Sequence, residues 1–262
     1  MFGTWFYHER IRKSVATFGR LFNDIYVIRT NASGNTISQL KVPLSYAPKQ
    51  KFLERIRENP DLDTDQKIAV KLPRMSFEIV SIVYDANRQL QKNNNFTRPA
   101  TSNAKRNKFN TSVPYTITFQ LSIYAKSQDD ALQIVEQIIP YFNPQYSVTI
   151  KPFGNYSEIK EDVPVVLSNI AFTDDFEGPV EQRRTIVYSL DFEMKVNFYG
   201  PISESKIIRT SKINLGQIGA GTADSDVLLE RITVTPDPIN ISADSDYGFN
   251  SSIELLYLND SA

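Results

Sequence analysis

Few residues in this chain are equipped for chemistry. Its 262 residues include no cysteine and one histidine, His8. Thiol nucleophiles, thiolate metal sites and disulfides are therefore excluded, and any Ser-His or Cys-His system would have to run through His8 alone. The context TWFYHERIR gives His8 no partner, so it reads as the aromatic-flanked start of a helix. A zinc site would have to be built from carboxylates in place of the usual ligands, and no metal is expected. Two carboxylate groups need weighing. Asp129 and Asp130 are adjacent at the head of KSQDDALQIVEQIIPYFNP, but neighbours on a helix point about 100° apart and do not form a facing acid/base pair. Asp174, Asp175, Glu177 and Glu181 could be imagined as a hard-cation cluster or a glycosidase pair, yet Gly178 and Pro179 among them indicate a solvated turn. GQIGAG at 216–221 lacks the GxGxxG spacing and leads into a strand-like run, and GxxxxGK[ST] is absent. No catalytic, cofactor-binding or metal-ligating residue is expected, nor any enzyme activity.

These residues would be held by elements whose periods are easy to read. Residues 115–125 alternate with Tyr115, Ile117, Phe119, Leu121, Ile123 and Ala125 on one face, and 185–199 repeat this with Ile186, Tyr188, Leu190, Phe192, Met194, Val196 and Phe198. Both predict long strands with one buried face. Between them, Ala131, Leu132, Ile134, Val135, Ile138 and Ile139 recur at helical spacing opposite Gln133, Glu136 and Gln137, and Pro140 stops the pattern. Ser127 and Asp130 form an acidic variant of the capping box, and both aspartates fall in the first turn, where the helix dipole favours negative charge. That role accounts for the pair without catalysis.

Elsewhere, residues 9–22 predict a helix with Ile11, Val15, Phe18, Leu21 and Phe22 inward. Residues 25–30 and 36–46 predict a hairpin around NASGN, and Pro48 opens a short helix that closes before Pro60. SFEIVSIVY at 76–84 is apolar on both faces, as in a central strand, and 164–173 supply another. The order argues for an α+β fold, an antiparallel or mixed β-sheet with packed helices. At this length one main domain with an appendage is expected, residues 1–205 and 206–262. The short apolar start is not a signal peptide and no run suits a membrane span, so a soluble chain not exported by that route is expected.

A net charge of -1 gives no overall attraction to nucleic acid or an anionic membrane. Two local imbalances stand out. Residues 86–112 carry Arg88, Lys92, Arg98, Lys105, Arg106 and Lys108 and no acid after Asp85, which predicts a long basic loop. Residues 217–262 are acidic with Arg231 as their one cation, and VLLERITV and SIELLYL within them suggest a β-rich C-terminal appendage. The loop could meet phosphates, making a nucleic-acid-binding module the alternative function, though Phe96 and Phe109 are its only aromatics. Opposite charges on successive copies would also favour a ring of identical subunits. Trp5 and Phe6, in the aromatic start, join the six cations as candidate interface residues.

Five blocks carry a resemblance: FGRLFNDIYVIR at 18–29, KVPLSYAPKQKF at 41–52, LPRMSFEIVSIVYDA at 72–86, FQLSIYAKSQDDALQIVEQIIPYFNP at 119–144 and RRTIVYSLDFEMKVNFYGP at 183–201. In this order, over roughly residues 1–210, they resemble the tail sheath stabiliser and completion proteins of T-even-type contractile-tailed bacteriophages. The resemblance implies a structural virion protein with a tail-terminator-like α+β fold. It implies a homohexameric ring that caps tail tube and sheath, in contact with the tube terminator, sheath and head-completion proteins. DNA would pass through unread, with no cofactor and no catalytic residue, and assembly would take place in the host cytoplasm.

Overall fold

A computed structural model of the chain describes residues 5–31, 36–58, 72–100, 104–154, 156, 158–176, 184–217, 227–242 and 245–255. The long period-two runs become the centre of a six-stranded sheet, because each offers an unbroken apolar row to a neighbour. Strand β7 (Val113–Ala125) pairs antiparallel with β10 (Arg184–Phe198), placing Ile186 opposite Ala125 and Phe192 opposite Phe119. The full order is β3 (Leu44–Tyr46), β4 (Arg74–Tyr84), β7, β10, β9 (Glu161–Phe176), β8 (Gln145–Ile150). Only β3 and β4 run parallel, so the sheet is mixed and the fold is α+β, dominated by strands. Residues 44–46 therefore leave the expected hairpin, which consists of β1 (Tyr26–Thr30) and β2 (Thr36–Lys41), and join the main sheet instead.

Helices α1 (Arg10–Leu21) and α3 (Gln128–Ile138) supply the core against the apolar rows of β7 and β10. Phe18 is its hub. Its ring stacks on Phe119 with centroids 4.3 Å apart and also meets Phe22, Phe77 and Phe192. Gly19 is dictated by this packing, since a Cβ there would lie 3.0 Å from Cζ of Phe77. Helix α2 (Lys49–Glu58) serves a smaller cluster of Phe52, Tyr124 and Val187.

The helical stripes are narrower than the sequence suggests. Ile11, Leu132 and Ile139, expected inward, are exposed, while Arg10 and Asp130 are buried. A 3.6-residue period lets one stripe face a flat sheet, and residues at its margin fall outside the contact.

The chain separates into two compact units. One holds the described parts of 7–89 and 112–199; the other is made from the described parts of 1–6, 90–111 and 200–262. In the smaller unit, β5 (Asn95–Pro99), β6 (Lys105–Asn110) and β11 (Ser203–Lys206) form one three-stranded sheet in the order β11-β6-β5. Strands β12 (Ser211–Gln217), β13 (Val227–Asp237) and β14 (Gly248–Leu255) form another. The described residues of 86–112 thus include two paired strands and their approaches, where a loop was expected. The cross-strand pair Phe96–Phe109 fixes these strands, its rings stacked 4.8 Å apart and 3° from parallel.

Candidate interface and polar anchors

The aspartates that open α3 make structural contacts by a route different from capping. Ser127 makes no side-chain cap bond. Asp130 is only 3% exposed and accepts a 2.7 Å hydrogen bond from the Arg29 guanidinium on β1, while Asp129 accepts from Gln133 Nε2 at 2.9 Å. The face expected to be solvated continues the attachment. Gln133 Oε1 accepts from the Ile28 N–H and its Nε2 donates to the Ile28 carbonyl, both at 3.1 Å; Gln137 does the same for Tyr26 at 3.3 and 2.7 Å. Two side-chain amides one helical turn apart thus pair with strand β1 as a neighbouring strand would. Arg29, Gln133 and Gln137 escape sequence reasoning because glutamine on a polar helix face looks like solvent contact. The available signal was their spacing with Asp129 and Asp130.

A second polar anchor holds the start of α1. The buried Arg10 guanidinium donates through Nε to the Asn197 carbonyl at 3.0 Å and through a terminal nitrogen to Glu161 at 2.5 Å; Asn197 Nδ2 donates to the other Glu161 oxygen at 2.7 Å. Burial pushes the Glu161 carboxyl above its ordinary range, against the opposing pull of Arg10 and Asn197. Both oxygens are engaged by protein donors, which suits a clamp more than a proton shuttle.

His8 packs edge-on against Phe153, with centroids 5.1 Å apart. Asp174 and Asp175 end β9, whereas Glu177 and Glu181 lie outside the described residues, as does most of the GQIGAG segment; Gly216 and Gln217 belong to β12. Among the described residues no group of three or more His, Cys, Asp or Glu is placed to hold a metal, and no helix is long and apolar enough to cross a membrane.

The expected interface residues have diverse settings. Arg88 lies in a single 3-10 turn, where it is bound 2.7 Å from Asp85 and donates to the Tyr115 carbonyl. Lys105 is paired with Glu204 at 2.8 Å. Lys92, Arg98 and Lys108 are exposed on the hairpin and its approach, and Arg106 is half-buried on β6. Trp5 is 88% exposed and Phe6 is exposed beside it. With Arg88 and Lys105 paired with carboxylates, nothing in this arrangement favours the nucleic-acid-binding alternative. In the larger unit a groove of about 500 Å³, lined by Leu21, Phe22, Asp24, Glu136, Tyr141 and Tyr146, adds an aromatic hollow.

The described residues thus combine long antiparallel ladders, helices tied to strands by polar side chains, and exposed aromatics. The chain belongs to the T4-like virus Myoviridae tail sheath stabiliser family, whose sequence model matches residues 5–258. It is similar to the tail completion protein gp15 of Enterobacteria phage T4, with 32% identity over 218 residues that cover 80% of this chain and 78% of that protein. Its role is structural, in completion of the phage tail.

Proposed function

We propose that copies of this chain close into a six-membered ring that caps the finished tail tube and contractile sheath and offers the head-completion proteins a docking surface. The observation carrying this reading is membership of the tail sheath stabiliser family across residues 5–258. The larger unit serves as a tail-terminator-like core, and residues 206–262 as an acidic β-rich appendage. Trp5, Phe6, Arg88, Lys92, Arg98, Lys105, Arg106 and Lys108 are assigned to contacts with neighbouring subunits or with the tube terminator and sheath proteins. DNA crosses the ring without sequence-specific contact, no enzymatic step or cofactor is involved, and assembly takes place in the host cytoplasm. A closed ring needs two different, complementary faces on each subunit, and a surface rich in exposed aromatics and cations suits that need.

The test is electron microscopy of particles made without this chain, joined with native mass spectrometry of the purified protein. Tails with unsecured sheaths and unattached heads, and a mass six times that of the chain, are expected. Intact tails fixed to filled capsids in its absence would refute the proposal.

A further inference from the structure

The β12-β13-β14 sheet is two-faced. Its register places Asn214, Arg231 and Glu254 in one cross-strand row, with Arg231 Nε donating to Asn214 Oδ1 at 3.2 Å and a terminal nitrogen 3.6 Å from Glu254. Adjacent rows point to the opposite face, where Ile213, Ile232 and Ile253 align, as do Pro236 and Phe249, with Leu215 and Leu255 flanking Glu230 and Ser211 and Ser251 flanking Val234. An antiparallel sheet with one polar and one apolar face ordinarily buries the apolar one. Here it is open. Phe249 is 73% exposed and Ile253 63%, and Ile213, Leu215 and Leu255 are exposed with them. A groove of about 470 Å³ continues this face past Val234, Pro236 and Phe249 to Ile208, which is 91% exposed.

These six exposed side chains together open an apolar area on the order of 500–600 Å², at the upper end of the ~300–600 Å² of the largest patch on an ordinary monomer. It supplies most of the ~800 Å² each partner gives to a stable interface. Charge indicates the occupant. At the edge of this sheet Asp237 and Asp246 are exposed, while Lys92, Arg98 and Lys108 are exposed on the hairpin region of the same unit. One chain therefore holds both halves of a complementary pair, which a second copy related by rotation can bring together.

We propose that the apolar face of the β12-β13-β14 sheet is a subunit interface, covered in the assembled protein by a second copy of this chain, with Asp237 and Asp246 at the sheet's edge meeting the neighbour's Lys92, Arg98 and Lys108. This inference rests on the ring reading and names the surface that closes it.

The test compares two adjacent positions on opposite faces. Ile253→Asp places a carboxylate on the apolar face and Ser252→Asp places one on the polar face; both positions are exposed in the single chain, so folding should survive, as far-ultraviolet circular dichroism will verify. By sedimentation velocity and native mass spectrometry, Ile253→Asp should weaken assembly by about tenfold or more, with Ser252→Asp unchanged. Because the chain has no cysteine, Ile253→Cys supplies a unique thiol whose maleimide labelling should slow at least about tenfold on assembly relative to Ser252→Cys. An assembled wild type whose oligomer ignores Ile253→Asp and leaves the Ile253→Cys thiol reactive would overturn this inference while leaving the ring intact. A wild type that stays monomeric at every concentration would overturn the ring reading and this inference with it.

Discussion

Arg10→Met tests how much of the larger unit's stability rests on one buried ion pair. The substitution keeps the apolar stem of the side chain and removes the charge facing Glu161 together with the hydrogen bond to the Asn197 carbonyl. Arg10 is almost fully buried and the Glu161 side chain is 12% exposed. Removing one partner of such a pair leaves an uncompensated charge, at a cost of about 3–5 kcal/mol. In a chain of this size each kcal/mol lowers the melting temperature by roughly 2–4 °C, so a fall of about 10 °C is expected at pH 7. Burial already raises the Glu161 pKa in the folded protein. A raised folded pKa means that its contribution is fully present below the unfolded value and is lost as pH rises through the folded one. Without Arg10 that loss deepens. The penalty of Arg10→Met should therefore grow from mildly acid to neutral pH, where Glu161 must either bind a proton or remain a buried anion. The double variant Arg10→Met with Glu161→Leu should recover most of the stability, since an apolar replacement of a buried pair is often close to neutral. Thermal and urea unfolding followed by circular dichroism, across pH 4.5 to 7.5, supplies the measurement. A cost below ~1 kcal/mol at pH 7, or additive effects in the double variant, would refute the argument.

Further substitutions probe other contacts. Gly19→Ala would normally gain ~1 kcal/mol in a helix interior, but the added Cβ meets Phe77 at 3.0 Å inside a packed aromatic cluster; a loss of about 1–2 kcal/mol is expected in urea unfolding. Asp130→Asn keeps the shape of the side chain while removing the charge opposite Arg29, and should cost about 1–2 kcal/mol and speed hydrogen exchange of β1. Gln133→Ala and Gln137→Ala should each cost ~0.5–1.5 kcal/mol by unpairing backbone groups of Ile28 and Tyr26, with faster exchange at those two amides. Phe96→Ala removes the stack on Phe109 and should destabilise the hairpin by about 0.5–1.5 kcal/mol beyond the loss of buried area, read from amide protection across 105–110.

Much of the fold was legible because burial imposes a period on sequence. The alternation in 115–125 and 185–199 could satisfy nothing except a long strand with one covered face, and Pro140 ended the intervening helix at the expected place. Reading faltered where polar side chains carry structure. Asp130, Gln133 and Gln137 have the composition of a solvent face, and only β1, a hundred residues earlier, reveals their use. The hairpin at 95–110 was hidden by lysine, arginine and asparagine, which are poor strand signals, and its pairing with 203–206 is a long-range event that no local pattern announces. As for the candidate site, the scarcity of histidine and cysteine was visible in residue types. The apolar face of β12-β13-β14 was not, because its alternation emerges only when three short strands are set in register.

The pairing of β6 with β11 also imposes a timetable. Lys105–Asn110 leave the ribosome roughly 95 residues before Ser203–Lys206, a delay of about 5–20 s at ordinary translation speed. Throughout that interval the outer edge of β6 is an unpaired ladder, open to any other nascent strand. Cationic side chains are an effective guard against such mispairing, and Lys105, Arg106 and Lys108 lie on that edge. Their charge thus protects the newborn polypeptide from its siblings until its own later segment arrives to claim the place.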